Sequence, residues 1–259
     1  MQSNSQNPLI SIITVCFNAA STIEKTFQSI GKQTYRNIEY IVIDGGSTDN
    51  TYELISKYKH LINYFVSEKD NGIYDAMNKG ISLAHGEVIG IINADDFYAP
   101  NAIEQVVNAF RTKINMDFVF GNCAIINQSG KVILTHIPNV NYKRGIVNIP
   151  HPSTFISKQC YLKYGYYDDS YHYAADYDYF CRLIANKATF FHIEATVSYY
   201  RIGGFGTRVG IMGELECLLI TYKHWKLFAA SCKAPQLLYS YLRRKFGVYL
   251  RKCGIITAK

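Results

Sequence analysis

Short apolar runs alternate with helix-period segments through the first hundred residues of this chain. Leu9 to Phe17 (LISIITVCF) reads as a buried strand. Ile38 to Asp44 (IEYIVID), Ile62 to Val66 and Val88 to Asn93 (VIGIIN) read as three more. Ser21-Thr-Ile-Glu24 has the spacing of a capping box, and Ile23, Phe27 and Ile30 then give the apolar stripe of a helix. Further helices are expected from about Asp49 to Lys59 and from Tyr74 to Ala84. Pro100 stands where a helix running to about Arg111 would begin. This order predicts an α/β fold: a mostly parallel central sheet with helices on both faces.

The second half is less regular. Phe118 to Ile126 and Lys131 to Thr135 flank Gln128-Ser-Gly130 as a hairpin, a helix is expected from Ala175 to Ala185, and Thr196 to Arg201 reads as extended. From Glu214 two helical segments meet near Pro235. With no internal repeat or low-complexity linker, the expected organisation is a short tail (1–8) and one α/β domain over 9–210, followed by a basic amphipathic helical extension over 211–259. Within the domain the halves are about 9–100 and 101–210.

Composition narrows the function classes. The seven Cys are odd in number and never spaced as CxxC, which argues against a disulfide framework or zinc site and for a reducing compartment. No basic stretch precedes an apolar run at the start, and no run of about 18 apolar residues occurs, so neither a signal peptide nor a bilayer-spanning helix is expected. The net charge of +7 is unevenly placed. Nine Lys or Arg and no acidic residue lie between Cys217 and Lys259, against 18 basic and 20 acidic residues before them. Such a tail suits an anionic surface.

Polar and acidic clusters follow each of the four strands, where ligands bind in open α/β sheets. They are Thr14-Val-Cys-Phe17-Asn18, Asp44-Gly-Gly-Ser-Thr-Asp49, Glu68-Lys-Asp70-Asn-Gly72, and Asn93-Ala-Asp95-Asp96. Carboxylates gathered along one sheet edge repel unless a cation or a hydrogen-bonding ligand sits among them. After the third cluster, Asp75, Asn78 and Lys79 are spaced to share one helix face.

Taken in order over about residues 9 to 205, these motifs resemble those of the family 2 glycosyltransferases of the GT-A fold, especially bacterial members that build surface polysaccharides. The resemblance implies an inverting transfer of one sugar from a nucleotide-diphosphate donor, UDP-sugars favoured, to a hydroxyl of a glycan or polyprenyl-linked glycan. It assigns Asp44, with Thr14, Phe17 and Asn18, to the base. Asp70, Gly72, Asp75, Asn78 and Lys79 become a polar wall for ribose, donor hydroxyls and phosphate. Asn93-Ala-Asp95-Asp96 matches the DxD-type motif, with Asp96 holding Mg2+ or Mn2+ and Asn93 and Asp95 on the donor. Where the family has an acidic pair, this chain has Ala175-Asp176, which makes Asp176 the base. Asp178, about 200° further around the helix, is a second choice and a structural candidate. His151 is a candidate for the acceptor side, and Arg201 or Arg208 for the diphosphate. The family's usual second Asp is replaced by Gly45, which bears on base selectivity.

Two other classes fit less well. Gly204-Phe-Gly-Thr-Arg208 copies a nucleotidylyltransferase phosphate loop but lies far from the first strand, and no GxGxxG follows that strand for a dinucleotide oxidoreductase. A catalytically degenerate sugar-binding scaffold remains an alternative. For the basic tail two accounts stand: packing on the domain or against a second copy, or an interfacial anchor on an anionic membrane surface. The implied location is cytoplasmic, peripheral at the inner face of the membrane, with no nucleic-acid partner.

Overall fold

In the first, second and fourth strands, residues divide between opposite halves of the core. In the computed structural model, which describes residues 7–113, 115–141, 143, 145–204 and 210–225, β1 (Ile10–Cys16) sends Ile13 and Val15 into one layer and Ile10, Ile12 and Cys16 into the other. Next to it, β2 (Ile38–Asp44) divides Ile41 and Ile43 from Tyr40 and Val42. A strand buried on both faces is what a sheet covered by helices on both sides requires. The helices α1 (Ile23–Gly31), α2 (Thr51–Lys57) and α4 (Ala102–Thr112) cover one face. On the other lie α3 (Ile73–Leu83), α5 (Lys158–Tyr164), α6 (Ala175–Ala185) and α7 (residues 210–225).

The sheet order is β3-β2-β1-β4-β10-β6-β11-β5, with β7 also on β6. Here β3 is Tyr64–Ser67, β4 Val88–Asn93, β5 Phe97–Tyr98 and β6 Phe118–Ile126. The rest are β7 (Val132–His136), β10 (Thr154–Ser157) and β11 (Phe190–Arg201), while β8 (Asn139–Asn141) and β9 (Ile146–Asn148) form a separate ribbon. The expected hairpin is β6 with β7. Strands β3, β2, β1 and β4 are mutually parallel, as are β6 and β11, and the short β10 runs antiparallel between the two groups. All these parallel strands therefore end at one edge.

One local expectation is corrected. The capping box does not form: the N-cap of α1 is Thr22, without a side-chain cap bond, and Glu24 instead accepts from Lys57 and Tyr58 at 2.9 Å each. A long-range pair on α2 has outcompeted a local one. The extension expected from residue 211 begins with α7, whose Ile220 and Thr221 are fully buried and whose Trp225 packs on the main core. For these residues packing on the domain holds. Residues 226–259, including most of the expected anchor, and Arg208 lie outside the described residues.

Candidate active site

Strand register sets Cys16 beside Asp44, Asp44 beside Ser67, and Val15 beside Asn93. The loops leaving this edge are laced together by side chains. Asn18, held at a positive φ of 49°, accepts from the Thr48 and Asp49 N–H groups at 2.8 and 3.3 Å. Asn tolerates that left-handed conformation better than most residues. Asp44 is only 1% exposed. Its carboxylate accepts from the Ser47 N–H and hydroxyl and from the Ser67 hydroxyl, so its oxygens knit the strand ends together. Thr14 is likewise withdrawn, fully buried and accepting from the Tyr40 hydroxyl at 2.9 Å. As an even-numbered residue of β1 it points to the α1/α4 layer.

Along the edge runs a cleft of about 1240 Å³, bordered by Phe17, Asn18, Asp70, Gly72, Asn93, Asp95, Asp96, His151, Asp176 and Arg201 among others. Phe17 is 62% exposed at its margin. Gly72 opens α3 at φ 122°, a conformation that favours glycine, and its N–H donates to Asp70. Asp70 also stands over Gly45, where a Cβ would meet its carboxylate. An acidic group from the β3–α3 loop thus occupies the space beside Asp44 that a side chain at 45 would take.

The polar wall expected along α3 is mostly turned elsewhere. Asn78 exchanges hydrogen bonds with the backbone N–H and carbonyl of Tyr167. Lys79 pairs with Glu68 at 2.8 Å and with Asp75 at 3.4 Å. None of the three borders the cleft. The cleft-facing residues of α3 include Tyr74 and Met77 instead.

At the end of β4 the two acidic residues differ sharply. Asp96 has no exposed surface, although it borders the cleft. One oxygen accepts from the Arg201 N–H at 2.9 Å, while Oδ2, like Oδ1 of Asn93, is buried without a partner. Burial, reinforced by Asp95, pushes the Asp96 carboxyl well above its ordinary range. Asp95 keeps accessible surface, and burial raises its carboxyl against the opposing pull of its own backbone N–H and of Arg201. Gly204 closes over it, so that a Cβ there would meet Asp95 Oδ2. Arg201 bridges the motif and the β6–β7 turn through the Asp95 and Gln128 carbonyls, at 3.4 and 3.3 Å.

Across the cleft, Asp176 is the second residue of α6 and accepts from the Tyr74 hydroxyl at 2.9 Å. Burial lowers the imidazole pKa of His151, opposed by the nearby Asp176, so this ring is neutral at pH 7. Tyr200, unremarked in the sequence, also lines the cleft. Its hydroxyl is pushed up by burial first and then by Asp96 and Asp95. Asp178 points away. It is fully buried, accepts from Arg182, Lys223 and His224 at 2.8, 3.1 and 3.0 Å, and does not border the cleft. Burial would raise its carboxyl, but these donors outweigh burial and hold it well below the usual range. The geometry gives it a structural place, not that of a base.

The fold is of the GT-A class. The structure is similar to S. aureus TarS 1–349 in complex with UDP, with a TM-score of 0.64 and 17% identity over 92% of this chain and 72% of that one. It is also similar to the mannosyltransferase PcManGT from Pyrobaculum calidifontis in complex with GDP-Man and Mn2+, with a TM-score of 0.67 and 14% identity over 99% and 78% of the two chains. Residues 11–169 match the model of Glycosyl transferase family 2, and the chain belongs to that family. An uncharacterised glycosyltransferase of Mycobacterium tuberculosis is 32% identical over 81% of this chain and 82% of its own. One from Rickettsia typhi is 30% identical over 76% of this chain, but the match spans only 65% of the Rickettsia protein. A PGL/p-HBAD biosynthesis glycosyltransferase of Mycobacterium bovis is 26% identical over 92% and 99%.

Proposed function

We propose that this chain is an inverting glycosyltransferase that moves one sugar from a nucleoside-diphosphate donor, UDP-sugars favoured, to a hydroxyl of a glycan or lipid-linked glycan. The observation that carries the reading is the placement of Asp95 and Asp96 on one wall of a single cleft and Asp176 on another. The ligands of TarS and PcManGT support the donor class. The PGL/p-HBAD relative is compatible with a lipid-linked acceptor.

The donor set at the end of β4 suits a hard divalent cation. It is all oxygen, and two of its atoms, Asp96 Oδ2 and Asn93 Oδ1, are buried without partners. Among the described residues no group of three or more His, Cys, Asp and Glu could cage a metal. Mg2+ or Mn2+ would instead share these carboxylates with diphosphate oxygens, as such cations commonly do. Asp96, whose unpartnered Oδ2 belongs to a residue bordering the cleft, would hold the cation together with Asp95, which keeps accessible surface. When bound, the cation neutralises charge on the departing diphosphate.

The other steps belong to the chain's own side chains. Tyr74 occupies Oδ1 of Asp176, leaving Oδ2 to take the proton of the acceptor hydroxyl as its oxygen attacks the anomeric carbon. Attack opposite the leaving diphosphate inverts that carbon. Neutral His151 lends a hydrogen bond on the acceptor side without adding charge. Phe17 offers an exposed ring to the base, and Asp70, beside Gly45, offers a carboxylate near it. The basic residues beyond α7 hold the enzyme against an anionic membrane. Among the described residues no helix is long and apolar enough to cross one.

A thermal-shift screen of nucleotide sugars with and without Mn2+ tests the reading, since a ligand that binds the folded state raises its melting temperature. Stabilisation by one donor class that needs the cation is the expected result. A melting temperature indifferent to every nucleotide sugar would contradict it.

A further inference from the structure

The turn that enters α6 presents three successive backbone N–H groups to one carboxylate from a distant part of the chain. Glu216, on α7, accepts from His172 at 3.0 Å through one oxygen, and from Tyr173 at 2.8 Å and Ala174 at 3.0 Å through the other. The N-cap of α6 is Ala174, whose side chain cannot satisfy a backbone donor, and no local side chain caps the helix. Glu216 therefore takes the N-cap N–H from another element, as the Glu of a capping box does from within its own helix. Its negative charge also complements the helix dipole at that end.

The residue that this turn delivers into the cleft is Asp176, two positions beyond Ala174. On the same helix, Asp178 is gripped by Lys223 and His224, again from α7. One partner helix thus holds α6 on both sides of Asp176. Residues 210, 213, 214 and 217 of α7 also border the cleft.

We propose that Glu216 is a positioning residue for glycosyl transfer: by fixing the turn at 172–174 it sets where the Asp176 carboxylate stands relative to the acceptor hydroxyl. The proposal rests on the reading of Asp176 as the base. Effects on rate of this kind follow from small misplacements of a reacting group. Donor binding should be spared, because Phe17, Asp70, Asp95 and Asp96 lie in the loops that follow β1, β3 and β4, which Glu216 does not hold.

The test uses the full-length chain with Mn2+ and a panel of nucleotide sugars that includes UDP-N-acetylglucosamine and GDP-mannose, following release of the nucleoside diphosphate with water as acceptor. Glu216→Gln keeps one acceptor oxygen for Tyr173 and Ala174 but turns an amide N–H2 toward the His172 N–H. Its kcat should fall roughly 10-fold and that of Glu216→Ala roughly 100-fold, with donor KM within about twofold of the parent. Ile220→Ala is the control: this fully buried α7 residue lies in the main core, so its loss should lower the melting temperature by roughly 5 °C. Below that transition its kcat should equal the parent's. Parental kcat in Glu216→Gln, or kcat losses that merely follow melting temperature across the three variants, would overturn the proposal. A parent that releases nucleotide from no donor in the panel would overturn the transferase reading itself.

Discussion

The hydroxyl of Tyr74, at the start of α3, donates to Oδ1 of Asp176, 102 positions later at the start of α6, across 2.9 Å. Tyr74 is nearly buried, and burial followed by the Asp176 charge pushes its hydroxyl well above the ordinary range, so it is a donor at any working pH. Two helices 102 positions apart at these residues thereby agree on the orientation of one carboxylate. Tyr74→Phe removes the bond without changing the ring, and kcat should fall roughly 10-fold with donor KM unchanged. Steady-state kinetics of nucleotide release checks this; an unchanged kcat would leave the bond without a catalytic role.

The unequal burial of Asp95 and Asp96 separates two kinds of loss. Asp95→Ala, at a partly exposed position, should abolish Mn2+-dependent turnover with little change in melting temperature. Asp96→Ala should lose turnover and stability together, because the Arg201 N–H loses its buried acceptor, at a cost of about 1–3 kcal/mol. EDTA should silence the parent. Melting curves run beside activity assays decide the matter, and a parent indifferent to EDTA would remove the metal from the account.

Asp178 should reveal itself through stability and its pH dependence. Its folded pKa is depressed, so it contributes stability above the unfolded value near ~3.9, and that contribution is lost as pH falls toward the folded value. Asp178→Asn should cost about 2 kcal/mol at pH 7, less than a wholly buried pair, because Lys223 keeps 48% exposure. The gap between parent and variant should narrow below about pH 4. A constant gap from pH 7 to 3 would show that the charge is not what matters.

How far the sequence could be read depended on the range of the interactions concerned. The strand ends were legible because β-branched runs stop abruptly at Cys16, Asp44 and Asn93, and in-register parallel strands gather such ends at one edge. β10 and α5 were missed: Thr154–Ser157 is too short to show a period, and its neighbours on either side are far away in sequence. The inward turn of Asp44 and the turn of Asn78 to Tyr167 and of Lys79 to Glu68 were equally hidden, since residue type tells what a side chain can bond and not what it meets. Glu216 carried no local signal, as its three partners lie 42 to 44 positions earlier.

Charge in the tail gives a prediction independent of the active site. Each Lys or Arg near an anionic bilayer contributes on the order of 1 kcal/mol, and the segment after Trp225 holds eight of them with no acidic residue. Truncation after Trp225 leaves α7 and Glu216 in place. It should abolish flotation with phosphatidylserine-containing vesicles at low salt yet spare donor hydrolysis. Equal flotation of the truncated and full-length chains would move any membrane contact elsewhere.

The identity of the base is the central claim, and Asp176→Asn tests it most directly. The substitution keeps the shape and the Tyr74 contact but cannot take a proton. With Mn2+ and a donor selected by the thermal screen, its kcat should fall at least ~100-fold while donor KM stays within about twofold of the parent. A kcat within a few-fold of the parent would contradict the account, because the cleft would then perform its chemistry without the carboxylate on which the proposed mechanism depends.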